Sequence, residues 1–223
     1  MDFKTVILKK EEHIATITLN RTDEQNALND ELIGELTEAI SHVAEDSDAR
    51  VLIITGAGKY FCAGGDVREF VGAEEATFHT RMAAGELSPE IEQMRRQASR
   101  MILPLQKMTK PTIAMVNGAA VGGGFDIALA CDMRIGSERA RFRVAFTKIG
   151  LCVATGGTWF LPRIVGLPKA AELIFTGDII DAAEAERIGI LNRVVPSADL
   201  GGETVKLARK IADGPPVAIK LDK

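Results

Sequence analysis

Cysteine and histidine are scarce in this chain, three of each in 223 residues. Cys62, Cys131 and Cys152 are odd in number, far apart and set among apolar neighbours, which argues against a disulfide framework and against a zinc site built on paired thiols. They read as reduced, mostly buried thiols. His13, His42 and His79 are equally scattered, with no HExxH pair and no Cys/His cluster, so no metal is expected. Long apolar runs are missing too. No stretch approaches the roughly 20 residues of a membrane span, and the opening MDFKTVILKKEEH lacks the apolar core and cleavage site of a signal peptide. The expected location is the cytoplasm. Nor does one sign of charge dominate: 27 basic and 31 acidic residues, well mixed, leave a net charge of −4. There is no basic stripe for nucleic acid and no polybasic patch for a membrane surface, so neither is an expected partner. The phosphate-binding patterns GxGxxG and GxxxxGK[ST] are also absent, which sets a nucleotide-binding fold aside.

What is present is an ordinary globular chain, 46% hydrophobic, long enough for one sizeable core with at most a small appendage. Its centre is the stretch from Lys110 to Asp132, KPTIAMVNGAAVGGGFDIALACD. An apolar strand pattern (Thr112, Ile113, Met115, Val116) ends at Asn117-Gly118, and Gly122 to Gly124 lead into a small-residue helical pattern. The order is strand, turn, helix. Three glycines in a row are unfavourable unless the backbone turns sharply or a second group approaches closely. A helix N-terminus also offers unpaired N–H groups with partial positive charge. Asp126 stands three residues past Gly123, the spacing that puts a side chain on the same helix face as that free amide. Two readings share this pattern: an anion or oxyanion site with its own acid–base group, or close helix–strand packing with an aspartate placed by the helix dipole.

A second glycine turn favours the first reading. Val51 to Ile54 reads as a buried strand running into TGAGKYFCAGGDVREF, where Gly64-Gly65-Asp66 precede another helical pattern. Backbone N–H groups at Gly65 and Gly123, aimed at one oxygen, would form an oxyanion hole.

Around these turns, Thr5–Lys9 and His13–Leu19 alternate as a β-hairpin separated by Lys10-Glu11-Glu12. Leu32, Ile33, Leu36, Ile40 and Val43 recur at helical spacing behind a cap at Asn29 or Asp30. Residues 71–88 read as a loop with at most one short helix. Leu87–Lys107 reads as a helix with Ile91, Met94, Ala98, Met101 and Ile102 on one face. Short strands are expected at Met133–Ile135, Arg141–Val144 and Leu191–Val195. Helices are expected after Gly156-Gly157, from Pro168 to Gly177, over Asp181–Ile188 and over Ala198–Ala212. Strands alternating with helices indicate an α/β fold.

In order, NRTDEQNAL, FCAGGD, KPTIAMVNGAAVGGG, ALACDMRI, TGGTWFLPRIVG and ELIFTGDIIDAAEAERIGILNRVV resemble the crotonase superfamily, the enoyl-CoA hydratase/isomerase group, over nearly the whole chain. The resemblance implies an α/β spiral of ββα units over residues 1–197. Residues 198–223 would then begin a C-terminal helical trimerisation region that is truncated or incomplete. It further implies a homotrimer or homohexamer and an acyl-CoA thioester as substrate, coenzyme A belonging to the substrate and no separate cofactor being needed. Gly65 and Gly123 match the family's oxyanion-binding amides. Arg21 to Ala27 and Ala63 to Asp66, including Gly64, match its CoA-binding segments, and Val121, Gly122 and Phe146 match positions lining the substrate.

The departures from the family pattern narrow the chemistry. Hydratases of the family use two glutamates, at the positions of Asp126 and Phe146. Some isomerases add an acid at the position of Ala154. Only Asp126 fills any of these three. One carboxylate suits a reaction in which a single group removes and returns a proton, so an isomerase-like double-bond shift is expected over hydration. Two alternatives stand beside it: decarboxylation of a malonyl-type CoA thioester, which needs an oxyanion hole and no base, and a CoA-binding scaffold without catalysis. Thr147, Lys148 and His79 are candidate auxiliaries. The discriminating property is the Asp126 pKa, which burial in an apolar pocket would raise and a surface capping role would not.

Overall fold

The computed structural model describes residues 2–66 and 89–223. The expected 71–88 loop and His79 therefore lie outside the described residues.

The chain opens on an antiparallel hairpin, β1 (Val6–Glu11) and β2 (Ile14–Leu19), paired from Val6↔Leu19 to Glu11↔Ile14. The turn falls on Glu12 and His13, with φ of 47° and 67°, two residues in the left-handed conformation that suits the twist of a tight hairpin. Lys10 and Glu11, expected in the connection, belong to the strand, because a two-residue turn lets the ladder run on to Glu11.

Helix α1 (Asp30–Glu45) starts where Asn29 accepts the N–H of Leu32 at 2.9 Å. It buries Leu32, Ile33, Leu36, Ala39, Ile40 and Val43 along one side. Three strand pairs follow, and each sends its first strand to one sheet and its second to another. They are β3 (Val51–Gly56) with β4 (Tyr60–Cys62), β5 (Thr112–Val116) with β6 (Ala119–Val121), and β7 (Met133–Ser137) with β8 (Arg141–Arg143). Helix α2 (Pro89–Lys107) precedes the second pair, and α3 (Gly123–Ala130) joins the second to the third. With β9 (Ile179–Asp181) and β10 (Arg193–Val195), the result is a six-stranded sheet β1-β2-β3-β5-β7-β10 and a four-stranded sheet β4-β6-β8-β9. Apart from the two antiparallel pairs, β1 with β2 and β8 with β9, the ladders are parallel. This is the expected α/β spiral of ββα units.

The strand β6 is a correction to the strand–turn–helix reading of the central stretch. Ala119, Ala120 and Val121 are too few to show a period, yet they pair with β4 on one side and β8 on the other. The second glycine turn thus opens from the second sheet. β9 was missed for the same reason.

Burial follows the two-residue period of a strand. In β3, which is buried throughout, Leu52 and Ile54 join the large core under α1, α2 and α3, while Val51 and Ile53 face a second cluster with Ile14, Ile113, Ala208 and Ala212. The last two come from α7 (Leu200–Ala212), which covers the opposite face of the large sheet. Helices α4 (Gly157–Val165), α5 (Leu167–Thr176), α6 (Ala182–Arg187) and α8 (Pro216–Asp222) complete the chain.

Candidate active site

The first glycine turn is tied to the loop that follows β2. Leu28 N–H donates to Gly64 O at 2.7 Å and Asp66 N–H donates to Leu28 O at 2.9 Å, a parallel bridge centred on Leu28 and Gly65. Alternation along an extended backbone then leaves the N–H of Gly65 on the edge away from Leu28. Ala63, half-buried, donates its N–H to Gln25 O at 3.1 Å. Arg21 reaches across the same junction. Its guanidinium donates to Ala27 O at 2.5 Å and to Asp66 Oδ2 at 3.4 Å and 3.5 Å. Sequence reasoning passed over Asn26, which is fully buried and organises this loop. Its amide donates to Ala57 O at 3.0 Å and Tyr60 O at 2.9 Å, and its Oδ1 accepts the N–H of Arg21 at 2.9 Å. The available signal was an Asn just before an apolar pair, a residue type that tolerates the left-handed backbone it adopts here, at φ of 58°.

The second turn meets the first. Gly64, at φ +93°, sits so close to the second turn that a Cβ there would lie 2.7 Å from Val121 O and 3.7 Å from Gly123 N. Only glycine allows both the conformation and the approach. Gly122, at φ 50°, donates its N–H to Arg143 O at 2.9 Å and accepts from Asp126 N–H at 3.0 Å, the first helical bond of α3. Every residue of α3 is buried. Phe146, in a single 3₁₀ turn (Phe146–Ile149), is 6% exposed, and its ring edge lies beside Gly122, where a Cβ would be 3.7 Å from it.

The far end of α3 is fixed by Arg134, which is buried and, among the described residues, has no carboxylate bonded to its guanidinium. It donates to Cys131 O at 2.6 Å, Ala128 O at 3.3 Å, Leu129 O at 3.4 Å and Ile190 O at 2.6 Å. A cation on the last carbonyls of a helix satisfies them and opposes the helix dipole.

Asp126 is 1% exposed. Thr155 Oγ1 donates to its Oδ2, and the N–H of Gly157 donates to the carboxylate as well. Burial pushes the carboxyl up to about 7, against these two donors, which favour the ionised form. That is the behaviour set out above for a pocket carboxylate. The side chain also seats on the N-terminus of α4: a Cβ at Gly157 would lie 2.5 Å from Asp126 Oδ1. Nothing in the sequence links Thr155 to Asp126, 29 positions earlier, and Gly157 marks only the start of an expected helix.

The structure therefore gathers Arg21, Ala27, Ala63, Gly64, Gly65, Asp66, Val121, Gly122, Gly123, Asp126 and Phe146 around one junction of two turns. Two of the auxiliaries, Thr147 and Lys148, are exposed. Thr147 Oγ1 donates to Ile174 O at 2.9 Å. Trp159 is 53% exposed, with the Arg163 guanidinium 3.3 Å over its ring. Among the described residues no three His, Cys, Asp or Glu side chains are placed to hold a metal, and no helix is long and apolar enough to cross a membrane.

Comparison with known proteins matches this arrangement along the whole chain. The sequence model of the family described as enoyl-CoA hydratase/isomerase matches residues 9–223. The short-chain-enoyl-CoA hydratase of Clostridium acetobutylicum is 41% identical, over 100% of this chain and 81% of its own. The 1,2-epoxyphenylacetyl-CoA isomerase of Escherichia coli is 35% identical, over 96% of this chain and 78% of its own. Among solved structures, an enoyl-CoA hydratase from Bacillus anthracis superposes with a TM-score of 0.86 at 35% identity, covering 98% of this chain and 81% of its own. Relatives of both names, hydratase and isomerase, share the ββα spiral and the sequence that builds it, and the chain belongs to the enoyl-CoA hydratase/isomerase family of enzymes, the crotonase superfamily.

Proposed function

We propose that the protein acts on an acyl-CoA thioester, binding the thioester oxygen between the N–H groups of Gly65 and Gly123 and moving one proton with Asp126 to shift a carbon–carbon double bond. The observation that supports this reading is the meeting of two glycine turns beside one buried carboxylate. Two amides aimed at a developing enolate oxygen in a water-poor site stabilise charge that the ground state lacks, and that differential stabilisation is what lowers the barrier. Gly123 adds the N-terminus of α3, which favours negative charge.

The step balances on one base. The Asp126 carboxylate takes a proton from the carbon next to the thioester of a 3-enoyl chain. The C–H electron pair becomes the new double bond of a dienolate, whose charge rests on the thioester oxygen. When that oxygen reforms its carbonyl, the double bond settles between carbons 2 and 3, and carbon 4 takes the proton back from Asp126. A carboxyl near 7 is close to evenly divided between acid and base at neutral pH, which suits both halves. Hydration asks for a second acid–base group to activate water, and the position where family hydratases place it holds the hydrocarbon ring of Phe146. The ring lies beside Gly122 and fills that wall instead.

The test is deuterium uptake and product mass, followed together, with straight-chain 2-enoyl-CoA and 3-enoyl-CoA in deuterated water. Interconversion with deuterium at carbon 2 or 4, lost at least a hundredfold in Asp126→Asn, supports the one-base shift. A gain of one water restores hydration. Binding of CoA thioesters without exchange leaves decarboxylation of a malonyl-type thioester or a scaffold role.

A further inference from the structure

Asp126 is held by one short segment, residues 155–157, and its two donors differ in kind. The N–H of Gly157 can only donate. The hydroxyl of Thr155 carries one donor and two acceptor lone pairs and can rotate between them. A group that removes and then returns a proton spends part of each cycle as a carboxylate and part as a carboxylic acid. A buried carboxylic acid whose O–H finds no acceptor is destabilised by the missing bond. Thr155 can supply that acceptor. It is 8% exposed, and a Cβ on Gly123 would lie 4.0 Å from its Cγ2, so its methyl packs toward the helix mouth while Oγ1 meets Asp126. Among the described residues no charged side chain forms an ion pair with Asp126, which leaves Thr155 as the side-chain partner seen there.

We infer that Thr155 is a positioning residue for the proton transfer, donating to Asp126 when it is ionised and turning to accept from it when it is protonated, so that the carboxyl keeps one orientation through both halves of the cycle. The inference rests on the reading of Asp126 as the acid–base group.

The experiment uses the full chain with aspartate labelled by 13C at Cγ, the Asp126 resonance being assigned by its loss in Asp126→Asn. Wild type, Thr155→Val and Thr155→Ser are titrated, and deuterium exchange into the enoyl-CoA is measured for each. Val copies the shape of Thr without the hydroxyl. With one donor to the carboxylate gone, the Asp126 midpoint rises by roughly one pH unit. Exchange at saturating substrate falls about tenfold or more, KM stays within about threefold, and Ser restores both to about wild-type values. Thr155→Ala gives the same comparison where Val does not fold. A wild-type midpoint in the hydroxyl-free variants overturns the inference. So does a raised midpoint with unchanged exchange, or a Ser variant that behaves like Val. Full exchange by Asp126→Asn removes the acid–base reading and the role of Thr155 with it. Loss of exchange in Asp126→Asn, with wild-type behaviour of Thr155→Val, removes the Thr155 inference alone.

Discussion

Asp66 and Asp126 each follow a glycine turn, and both are buried, at 5% and 1% exposure. Their surroundings separate them. Asp66 faces the Arg21 guanidinium at 3.4 Å and sits in a turn bridged to Leu28, so its charge is matched by a cation and its backbone is tied down. Asp126 has a hydroxyl and an amide for partners, and burial dominates its ionisation. The same side chain at the same depth thus serves as a clasp in one place and as the proposed proton carrier in the other, and among the described residues the difference between them is the counter-charge. The Arg21 guanidinium beside Asp66 links two loops. Asp126 forms no ion pair among the described residues, so its charge is incompletely compensated, which suits the proposed base better than an anchor.

The largest effect expected from this contrast is on stability against pH. The Asp126 carboxyl is raised from its ordinary 3.8 to about 7 in the folded chain, so between those values the folded state holds the proton more often than the unfolded state. Stability through this group therefore falls as pH rises across that window and levels off above it. The total change is on the order of 4 kcal/mol. Asn cannot titrate. Urea unfolding of wild type and Asp126→Asn at intervals from pH 4 to pH 8 is expected to show the variant gaining on wild type by that order, even as it loses activity. Parallel curves would mean that Asp126 is not held in a low-dielectric setting.

Next in size is the loss at the other aspartate. Asp66→Asn leaves the Arg21 cation at 14% side-chain exposure without its anion. The expected destabilisation is about 2 to 3 kcal/mol, below the full effect at a deeply buried pair because the contact is long and partly wet. The measurement is a shift of the urea midpoint with unchanged slope. A loss under about 0.5 kcal/mol would place Asp66 with ordinary surface carboxylates.

Much of this contrast was legible in the sequence, but not its partners. The glycine pairs before Asp66 and Asp126, and the strands leading to them, are local signals: a backbone that must turn, and a run of apolar residues that must be buried. α1 could be read from its spacing and its Asn29 cap, and β3 from an unbroken apolar run. What stayed hidden was short or distant. β6 and β9 are three residues each, too brief for a period to show, and they exist because neighbouring strands pair with them. Thr155 meets Asp126 only because α4 starts against α3, and the Asn26 amide makes its three bonds to Ala57, Tyr60 and Phe61 only because its loop folds back on residues 57–61. Arg134 looks like one more cation until the fold places it on the carbonyls of α3.

The smallest effect sharpens the contrast further. If Arg21 is what makes Asp66 a clasp, the two must be energetically coupled, and a double-mutant cycle measures that directly. Arg21→Met and Asp66→Asn each remove the contact between the two side chains, and the double variant removes both charges. Arg21 also donates to Ala27 O, so the double variant still loses that bond, but the cycle subtracts it because it is lost in the single variant too. At separations of 3.4 Å and 3.5 Å the expected coupling is about 1 kcal/mol, above the range of most exposed pairs and below that of a deeply buried one. It should weaken only modestly in 0.5 M salt, since a mostly buried pair is little screened. Coupling near zero would mean that the bridge to Leu28, and not the counter-charge, holds the first turn. The two aspartates would then differ by backbone pairing alone, and the cation would lose its place in the account of why one is a clasp and the other a base.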